Sequence, residues 1–169
     1  MRAVALVAAL LALSGCGLRP LYGGGAAGPV QTMLAAVQVA PIQGESGWLV
    51  SNALRDRLAA GRTDAPRYRL EVQLDDQIAG LGVRRDDSVT RERRTLRARY
   101  QLVDLSSGAV VLDATAGSDA GIDVVGSEYA TIAAERTALE RLSGIVADQI
   151  VARVARFAQS AAPAAAAAQ

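Results

Sequence analysis

The 169-residue chain has no histidine, no lysine and a single cysteine. These absences remove most enzyme classes by subtraction. Ser-His and Cys-His nucleophile systems lack their base, Ser-Lys systems lack their lysine, and zinc sites lose their usual imidazole and thiolate ligands. Paired carboxylates survive at Asp75-Asp76 and Asp86-Asp87. Adjacent residues on a strand point to opposite faces, however, so neither pair converges on one substrate atom, and turn or loop positions suit them better. The chain is therefore expected to be no enzyme, with no catalytic residues, no metal and no cofactor. Its 18 basic residues are all arginine against 17 acidic residues. That balance gives no reason to expect nucleic acid as a partner. Each cation is nonetheless a planar fork able to grip phosphate or carboxylate at two points.

What is present begins at the N-terminus. Met1-Arg2 forms a charged n-region, and the apolar run from Ala3 to Leu13 is too short for a hydrocarbon core needing about 20 residues. It ends in Leu13-Ser14-Gly15-Cys16, which resembles the lipobox of bacterial lipoprotein precursors. That resemblance implies cleavage before Cys16, a diacylglyceryl group on its thiol and an acyl group on its new amine. These covalent lipids are the only non-protein groups expected, and more than one acyl chain gives stable membrane attachment. Gly17 follows where an inner-membrane retention signal would carry Asp, so outer-membrane delivery facing the periplasm is expected.

Residues 1–15 thus read as a signal peptide and residues 16–32 as a lipidated flexible tether rich in Gly, Ala and Pro. One α/β domain spans 33–158, and 159–169 is a disordered Ala/Pro tail. Val37 to Ile42 suits a short edge strand. A helix is predicted from about Ser46, with Val50, Leu54 and Leu58 on one face and Gly61 as its stop. Tyr68, Leu70, Val72 and Leu74 alternate with polar residues up to Asp75, so one strand face is buried. After a connection carrying Gly80, Gly82, Arg84 and Arg85, a second alternating run starts near Val89. Its inner face is Leu96, Ala98, Tyr100 and Leu102. Ser106-Ser107-Gly108 turns this strand into another from Ala109 to Ala116, with Gly108 supplying the left-handed residue. Leu139, Leu142, Val146, Ile150, Val154 and Phe157 form the seam of a long final helix from about Ser127, which Tyr129 and Ile132 extend backwards. The fold class is α+β: a two-layer sandwich with two helices on one face of a four-stranded, mostly antiparallel sheet.

Cys16-Gly17-Leu18-Arg19-Pro20-Leu21-Tyr22, Tyr68-Arg69-Leu70, Arg99-Tyr100-Gln101-Leu102, and Ser127-Glu128-Tyr129-Ala130 leading into Ala133-Ala134-Glu135-Arg136 share an order and spacing. In these the chain resembles the LPS-assembly lipoprotein family LptE, of the alphaproteobacterial type. The resemblance implies a lipoprotein that plugs and helps assemble the outer-membrane barrel LptD in a 1:1 complex. It also implies work on lipopolysaccharide insertion into the outer leaflet, with direct binding of lipopolysaccharide as a further possibility. The other reading is a free-standing periplasmic carrier or chaperone for an acidic amphiphile.

Alternate residues of a strand lie about 6.6 to 6.8 Å apart on one face. Arg91, Arg93, Arg97 and Arg99 therefore form a cationic row interrupted by Thr95. Three uses stay open for it: bidentate contacts to lipopolysaccharide phosphates, docking on acidic groups of a barrel, or a solvated face paired with Glu71 and Asp75.

Overall fold

The computed structural model describes residues 28–58, 65–83 and 89–167. The element order is α1 (Pro29–Ala35), β1 (Val37–Val39), α2 (Gly44–Leu58), β2 (Tyr68–Val83), β3 (Val89–Asp104), β4 (Val110–Asp123) and α3 (Glu128–Ala167). The strands form one sheet in the order β1-β2-β3-β4, with β1 parallel to β2 and the other neighbours antiparallel. The architecture is α+β, an open mixed sheet with helices packed against it.

Hydrophobic alternation decides which sheet face the helices cover. Leu70 of β2 and Leu96, Ala98, Tyr100 and Leu102 of β3 are buried on the inner face. Val50, Leu54 and Leu58 of α2 meet them, as do Leu139, Leu142, Val146, Ile150 and Val154 of α3, in one apolar cluster. Burial of this kind stabilises by about 25 cal/mol per Å² of apolar surface. Glu45 pairs with Arg136 at 3.7 Å and Arg57 with Asp148 at 2.6 Å, so α2 and α3 run in the same direction. The Arg57 hydrogen bond holds the Asp148 carboxyl below its ordinary range.

The β3–β4 turn follows the sequence reading. Gly108 has φ +69°, and the Asp104 carboxylate accepts hydrogen bonds from the Ser106 N–H at 2.8 Å and hydroxyl at 2.5 Å. Those bonds hold the Asp104 carboxyl below its ordinary value.

Five features differ from the sequence reading. A third helix, α1, lies partly within the expected tether, and its Val30 and Leu34 are buried in the core cluster. Two apolar residues a turn apart suffice for a short helix once α3 offers them a surface. β2 runs on through Asp75, Asp76 and Gly80 to Val83, so these aspartates sit in mid-strand; pairing with β3 along the whole length outweighs their weak strand propensity. β4 likewise extends past Ala116 to Asp123. Tyr129 and Ile132 do not continue the buried seam; they are 85% and 55% exposed. The sheet beneath the first turns of α3 carries Glu92 and Arg94, and it is Glu135 that faces them. Finally, α3 continues to Ala167, through residues whose composition reads as an irregular tail. Alanine has the strongest helix propensity and extends a helix already nucleated upstream. Gly80 and Gly82, expected in a connection, instead lie in β2, while Gly61, Arg84 and Arg85 lie outside the described residues.

Candidate functional site

The face of the sheet turned away from the helices is the candidate site. β3 places Arg91, Arg93, Arg97 and Arg99 on it, all exposed, so the alternation read from sequence does bring these four residues into one row. Glu71 and Asp75, one set of partners left open for the row, do not pair with it. Glu71 binds Arg69 at 2.7 Å and Asp75 accepts from Gln77 at 3.0 Å, both within β2. The row instead pairs with β4: Arg91 with Asp123 at 2.9 Å, Arg93 with Asp119 at 3.9 Å, and Arg99 with Asp113 at 3.0 Å. Residues two apart on β2 satisfy one another locally, which leaves the three β4 aspartates to face β3. Their odd-numbered spacing at 113, 119 and 123 is the signal that reading β4 only to Ala116 misses. Hydrogen bonds from Arg99 and Gln101 hold the Asp113 carboxyl below its ordinary range, and Asp113 raises Arg99 in turn. These pairs are exposed and screened by solvent, so they orient the side chains more than they stabilise the fold.

Arg97 is different. Its register partner on β4 is Gly117, and it makes no ion pair among the described residues. A Cβ at position 117 would lie 3.3 Å from the Arg97 Cγ and 3.2 Å from the Leu96 carbonyl oxygen. The missing side chain is therefore the space that the stem of Arg97 occupies. Around it lies an open depression of about 520 Å³, with Gln73, Asp75, Arg97, Arg99, Thr115 and Gln149 among its lining residues. At its rim the Gln149 amide pairs with Gly117, accepting from the N–H at 3.0 Å and donating to the carbonyl at 3.3 Å. A helix side chain thus covers part of an edge strand that would otherwise offer its backbone to any neighbouring chain.

The inner face holds a second polar group. Asp76 points inward and Asp75 outward, as strand geometry requires, so the two carboxylates do not converge. Asp76 accepts from Arg94 Nε at 2.9 Å and Nη2 at 2.7 Å, while Arg94 Nη1 donates to the Glu135 carbonyl at 3.1 Å. Glu92 lies nearby with its Oε2 atom buried and unpaired. Burial raises its carboxyl above the ordinary range, and the nearby Glu135 charge adds to the effect. Alternation alone places Glu92 and Arg94 on the buried face, but nothing in the sequence names their partners. Asp86-Asp87 and Cys16 lie outside the described residues.

Among the described residues no group of His, Cys, Asp or Glu is arranged to hold a metal ion, and no helix is long and apolar enough to cross a membrane. The sequence pattern of LptE, described as lipopolysaccharide-assembly, matches residues 34–154. The chain belongs to the LptE family. Its role is accordingly in lipopolysaccharide assembly, as an envelope-associated lipoprotein. Solved structures share the LptE fold at low identity. A lipoprotein from Caulobacter crescentus superposes with a TM-score of 0.67 at 23% identity, covering 78% of this chain and 98% of that one. The minor lipoprotein from Acinetobacter baumannii gives 0.59 at 14%, covering 72% and 92%. Rare lipoprotein B from Shewanella oneidensis gives 0.53 at 12%, covering 77% and 94%. No curated protein matches the chain.

Proposed function

We propose that this LptE-family chain is a non-catalytic outer-membrane lipoprotein, lipidated at Cys16, that seats within the LptD barrel as plug and assembly partner. The observation that carries the reading is the open sheet face. Its cations are largely matched by its own anions on β4, through three cross-strand pairs. An exposed polar face with internally balanced charge suits packing against the polar interior of a large outer-membrane barrel. It suits polyphosphate capture less, because three of the four arginines would first have to leave a carboxylate. Arg97, unpaired over Gly117, is the residue of the row free to take a lipopolysaccharide phosphate.

Co-purification from detergent-solubilised outer membrane tests the reading. A large barrel should be recovered with the wild-type chain in about equimolar amount. Arg97→Glu with Arg99→Glu should reduce that recovery while sparing the fold, since both side chains are exposed. If the double variant keeps the barrel and loses only purified lipopolysaccharide, the row serves the glycolipid and not docking. The anchor has its own test: Cys16→Ser should abolish lipidation, because the chain has no other thiol. Intact-mass measurement of the membrane-extracted protein reads this, and an unlipidated wild-type chain beginning elsewhere refutes it.

A further inference from the structure

We propose that the groove between the free edge of β4 and α3, beside Asp113 and Thr115, binds an extended acidic polypeptide segment that adds to the sheet as a fifth strand. β4 is the last strand of the sheet. The backbone N–H and carbonyl of Gly117 both point to the free edge, because both are met there by Gln149 of α3. In an antiparallel pair this direction repeats every second residue. Thr115 and Asp113 therefore present their backbone groups on the same side, where they have no hydrogen-bond partner among the described residues. Beside them lies a groove of about 570 Å³ with Tyr100, Gln149, Arg153 and Arg156 among its walls.

Charge selects the occupant. Arg153 and Arg156 are exposed and make no ion pair among the described residues. The carboxylate that shares the groove, Asp113, is already engaged by Arg99 and Gln101. Across the edge, on the outer face, Arg97 is also unpaired. An added strand sends alternate side chains to opposite faces. Acidic residues at every second position would thus all meet Arg153 and Arg156 on the helix side, with polar residues between them on the side of Arg97. The far half of β4 does not fit the same ligand: Gln149 occupies the edge at Gly117, and beyond it Asp119 and Asp123 line the outer face. This proposal goes beyond the barrel reading and does not depend on it.

Fluorescence anisotropy of the full lipidated chain in detergent, titrated against labelled decapeptides, tests the proposal. The probes alternate threonine with glutamate, threonine with lysine, or proline with glutamate. The last keeps the acidic charge but lacks the proline N–H groups needed for edge pairing. The threonine-glutamate peptide should bind about tenfold or more tightly than either control. Arg153→Glu with Arg156→Glu should remove that advantage while the melting temperature holds. If this variant fails to fold, Arg153→Gln with Arg156→Gln takes its place with the same expected loss. Equal binding of the proline-glutamate peptide would mean a simple anion patch and overturn strand addition. Equal binding of the lysine peptide, or an unchanged affinity in the folded arginine variants, would overturn the charge-selected groove.

Discussion

Arg94→Ala is expected to destabilise the domain by about 3 kcal/mol. The side chains of Arg94 and Asp76 are 13% and 19% exposed, and they meet through two hydrogen bonds of 2.9 and 2.7 Å. Removing one partner of a buried pair costs about 3 to 5 kcal/mol, chiefly because the remaining charge is left desolvated. The residual exposure of Asp76 lets water reach its carboxylate, which puts the expectation at the lower end of that range. Arg94 also donates to the Glu135 carbonyl at 3.1 Å, so its loss frees the first turns of α3 from the sheet. In a domain of this size, about 3 kcal/mol corresponds to a fall in Tm of roughly 9 to 15 °C. The assay is a double-mutant cycle of Arg94→Ala, Asp76→Ala and both together, followed by urea denaturation and thermal melting. The double variant should lose about 2 kcal/mol less than the two singles added, because neither charge is then stranded. Hydrogen exchange should quicken first at residues 131–135. A loss under about 1 kcal/mol for Arg94→Ala, or strict additivity in the cycle, would refute the reasoning.

Leu142 is fully buried between α3, α2 and the sheet, so Leu142→Ala should cost about 2 to 5 kcal/mol and lower the amount of any assembled partner in proportion to lost fold; an unchanged melt would remove it from the core. The folded Glu92 carboxyl is raised above its ordinary value, so the native state binds its proton more tightly than the unfolded chain does. Stability from this group is complete below the ordinary glutamate range near pH 4.3 and is lost as pH rises through the raised value. Glu92→Gln should therefore raise Tm at neutral pH, with the gain shrinking as pH falls toward that range; melts across this window would contradict it if the gain were constant.

Much of the architecture was legible along the chain because its causes are local. Period-two alternation at Leu70 and at Leu96 to Leu102 set the buried face of the sheet, and the same parity put Arg91, Arg93, Arg97 and Arg99 on the open one. The apolar spacing from Leu139 to Val154 likewise set the face of α3, and Gly108 marked its turn through a backbone angle that glycine adopts without cost. The absence of histidine narrowed the chemistry before any coordinate was needed. Partner choice was another matter, since it depends on which strand lies alongside which and in what register. Glu71 and Asp75 lie on β2 beside the row, Asp75 in register with Arg97, yet they are engaged within β2, while Asp113, Asp119 and Asp123 of β4 pair with the row and Gly117 sits opposite Arg97. The burial of Arg94 with Asp76, the docking of α1 on α3, the exposure of Tyr129 and the hold of Gln149 on the β4 edge are decisions of the same kind. Each depends on a surface supplied by a distant segment, and such surfaces exist only once the chain has folded.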